Sequence, residues 1–329
     1  MIGIFYGTRP EYIKLKPLLK ALQKRSIEYK LFQVSQHTDL IKECPYDEFI
    51  RIKKSSKNRL NSIFLSVLRY PLKNLKYVLV QGDTTTAAAV ALNAFHSGIK
   101  VIHLEAGMRS FDRYNPYPEE SNRRIISSLA DIHYCPTDRE KRYLYVEGFD
   151  KDSVLVTGNT CIDNLINIEV TKTNKVLVTL HRRENQPNII KWFQAIEFLA
   201  NENPHLEFVF PAHPSPSIQN NLSVFKKVKV CDSLPHDKLL KLLASSHCVI
   251  SDSGGIQEES SYFKKLCFVC RKTTERPSES SLLCDTPEVL IMNFMNHYNK
   301  EIKEFSPFGN GDSSELIAKD LERLCFETF

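Results

Sequence analysis

The sequence predicts an α/β protein made of two doubly wound domains facing each other across a cleft. Short apolar runs alternate with amphipathic stretches nearly from end to end, the pattern of βα units in parallel sheets. At 329 residues the chain exceeds what one hydrophobic core usually serves. The alternation restarts after a polar stretch, Val170-Thr171-Lys172-Thr173-Asn174, which is the best linker candidate. The expected domains are therefore residues 1–169 and 170–312.

In the first half, Ile2–Tyr6 reads as a strand, and the stretch after Pro10 reads as a helix carrying Ile13, Leu15, Leu18 and Leu22. Strands follow at Lys30–Val34, Tyr77–Val80 and Lys100–His103, the last two separated by a helix over Thr84–Phe95. Ile132–Tyr134 is a further strand, then a helix that Thr137 or Asp138 can cap, and Val154–Val156 closes the half. The second half begins with Lys175–Thr179 and continues with Phe208–Phe210, Val228–Val230, Cys248–Ile250 and Cys267–Val269. Ser313–Cys325 reads as an amphipathic helix with Leu316, Ile317, Leu321 and Leu324 on one side; its pattern leaves open which domain it joins.

Composition narrows the classes. Hydrophobic residues make 42% of the chain and charged ones 25%, ordinary values for a globular protein. No apolar run reaches the ~20 residues of a membrane span, and Met1–Tyr6 lacks the basic start of a signal peptide, so a soluble cytoplasmic protein is expected. The net charge of +5 comes from interspersed residues, without the basic blocks that track nucleic acid, and it suits a small anionic substrate. The nine cysteines are odd in number and scattered. Cys267-Phe268-Val269-Cys270 has the spacing of half a zinc site, but no second pair completes it, so reduced structural thiols are expected.

Ligands of parallel sheets bind at the C-terminal ends of strands, which selects the polar groups that follow apolar runs. Ser251-Asp252-Ser253-Gly254-Gly255-Ile256-Gln257-Glu258-Glu259 reads as a strand end, a tight turn and a helix start, answered by Thr273-Thr274-Glu275-Arg276-Pro277. Glycine there lets backbone N–H groups approach a ligand, and a helix N-terminus favours negative charge. Glu259 can hold a ribose hydroxyl and Arg276 can fork onto phosphate oxygens, which together describe a nucleotide-diphosphate site. Other strand ends supply Arg9 with Lys14 a turn later, Asp83, Glu105 and His181, while Glu119 and Arg123 sit at a helix start. Singly, each has an ordinary reading: Asp83 as an N-cap, Glu119 as a first-turn acid, His181 as an incidental histidine. Their convergence at strand ends disfavours those readings.

Eight ordered motifs carry a resemblance. Gly7-Thr8-Arg9-Pro10-Glu11, Gly82-Asp83-Thr84-Thr85-Thr86, Glu105-Ala106-Gly107-Met108-Arg109, Pro118-Glu119-Glu120, Thr157-Gly158-Asn159-Thr160, His181-Arg182-Arg183-Glu184-Asn185, Asp252–Glu259 and Thr274-Glu275-Arg276-Pro277 follow one another across almost the whole chain. In that order they resemble the UDP-N-acetylglucosamine 2-epimerases, more narrowly the non-hydrolysing type. The resemblance implies a glycosyltransferase-B-like fold of two Rossmann-like domains, with the C-terminal segment 313–329 packing back on the first. It implies UDP held by Ser253, Gly254, Gly255, Glu259 and Arg276, with Arg9 and Lys14 reaching it and the Leu234–Leu239 turn beside the uracil. Asp83, Glu105, Glu119 and His181 match the family's catalytic positions, and the resemblance makes Arg123 a candidate substrate contact. Gln36, Arg182 and His213 match positions of an activator pocket for a second UDP-sugar.

The implied reaction is inversion of C2 in a UDP-2-acetamido sugar, UDP-GlcNAc to UDP-ManNAc, for polysaccharide biosynthesis. It proceeds by elimination of UDP to a glycal and re-addition, and needs no metal, flavin or nicotinamide. A homodimer is expected, with a UDP-sugar as its ligand and neither nucleic acid nor membrane as partner. A UDP-6-deoxy-acetamido sugar as substrate, a hydrolysing epimerase and an inactive UDP-sugar-binding protein are the alternatives.

Overall fold

The computed structural model describes residues 1–36, 44–54 and 56–326. They form two compact units, one of residues 1–164 with 309–329 and one of residues 165–308. Residues 327–329 of the expected C-terminal segment lie outside the described residues. Among those described, no helix is long and apolar enough to cross a membrane.

In the first unit the chain runs β1 (Ile2–Tyr6), α1 (Arg9–Lys24), β2 (Tyr29–Val34), β3 (Glu48–Ile50), α2 (Arg59–Leu68), β4 (Tyr77–Gln81), α3 (Thr85–His96), β5 (Lys100–Leu104), α4 (Glu119–Leu129), β6 (Ile132–Cys135), α5 (Asp138–Val146) and β7 (Val154–Val156). The strands form one parallel sheet in the order β3-β2-β1-β4-β5-β6-β7. Its central strands, β1 and β4, are buried along their whole length, which is why they read as continuous apolar runs rather than alternating ones. Two apolar clusters cover the two faces. One gathers Ile2, Ile4, Leu15, Leu18, Leu79 and Leu104; the other gathers Phe5, Phe32, Val78, Val80, Ala88 and Val101.

The second unit runs β8 (Lys175–Thr179), α6 (Ile189–Glu202), β9 (Glu207–Ala212), α7 (Pro216–Gln219), β10 (Lys229–Asp232), α8 (His236–Ser245), β11 (Cys248–Ser251), α9 (Gly254–Tyr262), β12 (Cys267–Val269), β13 (Ser281–Leu283) and α10 (Pro287–His297). Its parallel sheet has the order β10-β9-β8-β11-β12-β13, over a core that includes Trp192, Phe193, Phe208, Phe210, Phe268 and Phe294. The Val170–Asn174 stretch is tied into this unit: the Thr173 N–H and hydroxyl both donate to the Ser245 carbonyl, at 3.1 and 2.7 Å. Cys267 and Cys270 are buried, and burial pushes both thiols up, Cys267 to about 12, so neither is a thiolate at neutral pH.

The last helix, α11 (Ser313–Phe326), belongs to the first unit. Ile317, Ala318 and Leu321 enter its core beside α1, and Glu315 pairs with Lys24 and Arg25. Asp163 accepts from the Ser313 and Ser314 N–H groups at 3.2 and 2.6 Å, satisfying two donors of the helix start. Leu316, expected on the apolar side, is instead 46% exposed. The buried stripe passes through 317, 318 and 321, and at 3.6 residues per turn position 316 falls outside it.

Candidate active site

Each sheet reverses its strand order once, and doubly wound sheets bind ligands in the crevice beyond the strand ends at such a reversal. In the first unit the reversal lies between β1 and β4, where Ile4 sits opposite Leu79; in the second it lies between β8 and β11, where Val178 sits opposite Ile250. Most of the polar groups selected from the sequence emerge there.

After β1, Thr8 caps α1, and Glu11, three residues on, reaches back to the Gly7 N–H at 2.9 Å and the Thr8 hydroxyl at 2.8 Å. Its other oxygen accepts from Thr84 Oγ1 at 2.7 Å, and Thr84 is the N-cap of α3. Glu11 therefore ties the β1 turn to the β4 turn. Burial raises its pKa, and these donors pull against that shift. Gly7 is required by contact: a Cβ there would stand 2.3 Å from Thr86 Oγ1. Arg9 is half-buried and makes no ion pair among the described residues.

After β4, Gly82 adopts φ +69° and is followed by Asp83. The cap of α3 is Thr84, so Asp83 is released from that duty. Asp83 Oδ2 accepts from Arg123 Nε at 2.8 Å and Nη2 at 2.7 Å, and 25% of the Asp83 side chain stays exposed. Arg123 is buried and also contacts buried Glu120 at 3.3 Å, so it orients Asp83 rather than standing open to solvent. After β5, Glu105 takes φ +62°. A non-glycine side chain in this left-handed region costs about 1–3 kcal/mol and is held by its surroundings. Here Glu105 Oε2 accepts from Gln81 Nε2 at 2.5 Å and pairs with Lys14. Lys14, expected near phosphate, is thus joined to a candidate catalytic carboxylate. Glu119 begins α4, where the helix dipole favours its charge, and is partly buried.

His103 lies beneath this cluster. Its Nε2 bonds the Gly82 carbonyl at 2.8 Å, and burial lowers its pKa to about 3, so the ring is neutral and donates from that nitrogen. Arg109, though part of a quoted motif, is a structural residue: it is buried and forks onto Glu147 at 2.7 and 2.6 Å.

In the second unit, α9 starts at Gly254 with no side-chain bond from its N-cap, Ser253, which leaves its first N–H groups for another acceptor. The two glycines differ. A Cβ on Gly254 would stand 2.7 Å from Arg276 Nη1, whereas one on Gly255 would meet nothing nearer than Ser253 Oγ at 4.0 Å. Arg276, expected to fork onto phosphate, has its Nε on Glu258 at 2.7 Å and pairs through Nη1 with Glu275. Its guanidinium therefore lies against the start of α9, anchored by two acids. Glu259 is buried, with Oε1 3.3 Å from His236 Nε2 at the start of α8.

His181 follows β8, its ring stacked on His213 at 5.5 Å between centroids. Burial lowers its pKa foremost, with Arg182 and His213 adding to that and Asp252 opposing it, so the ring is neutral at pH 7. Arg182 and His213 thus stand together beside His181 in this unit. Gln36 lies in the first unit, with Oε1 on the Thr86 N–H and hydroxyl at 3.2 and 2.5 Å.

A protein-family model for UDP-N-acetylglucosamine 2-epimerase matches residues 23–322. The chain belongs to the UDP-N-acetylglucosamine 2-epimerase family. It is 34% identical to the UDP-N-acetylglucosamine 2-epimerase of Neisseria meningitidis, over 96% of this chain and 97% of that one. The crystal structure of a UDP-GlcNAc 2-epimerase from Neisseria meningitidis bound to UDP-GlcNAc matches with a TM-score of 0.86 at 34% identity, covering 98% and 99% of the two chains. A Staphylococcus aureus MnaA–UDP structure matches at 0.88 and 30%, covering 99% and 96%. This epimerase-family chain thus shares the glycosyltransferase-B-like pair of Rossmann-like domains.

Three supporting residues escaped the sequence reading: Glu11, His103 and Asp252. Asp252 and Glu11 stood in quoted motifs at strand ends, where the signal was present. His103 closed the strand read over Lys100–His103, but nothing in the sequence showed that it bonds the Gly82 carbonyl.

Proposed function

We propose that this epimerase-family chain inverts C2 of UDP-N-acetylglucosamine to give UDP-N-acetylmannosamine without hydrolysis. The observation that carries the reading is a division of labour. Asp83 and Glu105 bring acid to the ends of two neighbouring strands of one sheet, β4 and β5, and in the other unit the open Gly255 turn leaves the first N–H groups of α9 for an anionic acceptor. The C2 proton of the sugar has no adjacent carbonyl to acidify it. Breaking the C1–O bond, with the electron pair leaving on UDP, builds oxocarbenium character at C1 and makes that proton labile.

A carboxylate takes the proton as the C1–C2 double bond forms, giving the glycal and UDP. Protonation of C2 from the opposite face and return of the diphosphate oxygen to C1 give the epimer, so every atom and charge is recovered. A carboxylate stabilises a cationic sugar and the N–H groups of a helix N-terminus stabilise a diphosphate; in this reading His181 faces the diphosphate. Retention of UDP through the glycal stage separates this course from hydrolysis. The substrate assignment draws on the Neisseria meningitidis enzyme bound to UDP-GlcNAc.

The test is incubation of purified protein with UDP-GlcNAc in D₂O, followed by NMR. Deuterium at C2 with the UDP linkage intact is expected. Free N-acetylmannosamine would show a hydrolase, and no exchange on UDP-GlcNAc or UDP-6-deoxy-acetamido sugars would overturn the enzymatic reading.

A further inference from the structure

Asp252 is a fully buried carboxylate at the end of β11. Among the described residues no lysine or arginine side chain pairs with it, and the one ion pair it forms is with His181. The two oxygens are used differently. Oδ2 accepts three N–H groups: His181 at 3.0 Å, Arg182 at 2.8 Å and the Asn185 side chain at 3.0 Å. Oδ1 has one longer contact, the His181 N–H at 3.2 Å, and faces His181 Nδ1 at 3.6 Å. Asn185 is itself fixed, since Nδ2 also donates to the Cys270 carbonyl at 2.9 Å. The carboxylate is held from behind, and its less occupied oxygen points at one nitrogen of the ring. That separation is within ion-pair reach but beyond a hydrogen bond, and catalytic contacts of this kind are often long before ligand binds.

We propose that Asp252 is the positioning residue for His181: it holds the imidazole with Nδ1–H turned to Oδ1 and leaves Nε2 as the nitrogen that meets the substrate. This rests on the reading that His181 faces the UDP-sugar diphosphate. A fixed acceptor on one ring nitrogen decides which tautomer the other presents, and a buried negative charge behind the ring favours the imidazolium, which takes its Nε2 proton from solvent and donates it in a hydrogen bond to the departing diphosphate. The other groups facing the ring, Arg182 on its own segment and His213 from the end of β9, both disfavour the imidazolium, so Asp252 alone pulls the other way.

The test is ¹⁵N NMR of the histidine rings, with His181 assigned by its loss in H181Q. In the unaltered protein the neutral ring is expected as the Nδ1–H tautomer. In D252N its titration should move down by about one pH unit, since an opposite charge at this range shifts a pKa by ~1–3 units. The alkaline limb of kcat, where the imidazolium is lost, should follow, with KM changed less. N185A, which removes another donor to the same carboxylate, should lower stability yet leave tautomer and titration in place. An Nε2–H tautomer in the unaltered protein, or an unmoved titration in D252N, overturns the proposal. If D252N does not fold, the tautomer of the unaltered protein decides. If the unaltered protein has no epimerase activity, the functional reading fails while the NMR still judges the Asp252–His181 pair.

Discussion

Asp83 and Glu105 are presented by different means, and single substitutions should separate them from their scaffolding. Asp83 stands at a strand end with Arg123 fixing one oxygen. The amide variants D83N and E119Q keep shape and remove charge; C2 deuterium exchange should fall by about 10²–10⁴-fold, the usual weight of a positioned acid or base. Exchange within tenfold of the unaltered protein would refute those roles. The two glycines of α9 give a paired experiment. G254A drives a methyl to within 2.7 Å of Arg276 and should destabilise the second unit by about 1–3 kcal/mol, read as a lower denaturant midpoint. G255A meets open space, so its midpoint should hold while UDP affinity, measured by calorimetry, drops at least tenfold. His103 supplies a pH dependence. Its native pKa of about 3 lies below the ordinary ~6.5 of an unfolded chain, so the unfolded state binds the extra proton. The stability it confers is present above pH ~6.5 and is lost as pH falls towards 3. H103Q should therefore flatten the acid side of the stability profile, measured by denaturant titration across that range.

At the scale of elements, the central strands and capped helices were legible because several local signals agreed there. β1 and β4 are apolar on both faces, and Thr8-Arg9-Pro10-Glu11 combines a cap, an early proline and an answering acid. β3 and β13 were not read as strands. Each has three residues at a sheet edge with little buried side chain, so neither the alternating nor the continuous pattern is long enough to register. Strand ends revealed which polar groups gather, because parallel sheets aim them all one way. They did not reveal that Arg276 is anchored by Glu258, or that Lys14 joins Glu105, since partners 18 and 91 positions apart leave no local trace. α11 makes a separate prediction. Leu321 is buried against the first unit's core, and L321A should cost about 2–5 kcal/mol there, while the exposed L316A should change stability little. Equal effects of the two in thermal unfolding would contradict the described face.

On the scale of the whole molecule, each unit owns its apolar clusters. Trp192, Phe193, Phe208, Phe210, Phe225, Phe268 and Phe294 serve the second, and the clusters on either face of the β1 sheet serve the first. L321A should accordingly move an unfolding transition of the first unit, while F294A should move one of the second. A single transition shifted equally by both would show that the units unfold together. The return of α11 has a further consequence, in the order of synthesis. Residues 165–308 are contiguous, so that unit can close as soon as its chain has left the ribosome. The first unit begins earlier but waits for its last helix. At ~5–20 residues per second, the Ile2–Tyr6 sheet core spends on the order of ten seconds lacking the stripe of Ile317, Ala318 and Leu321. The half of the protein that is translated first is therefore the half completed last.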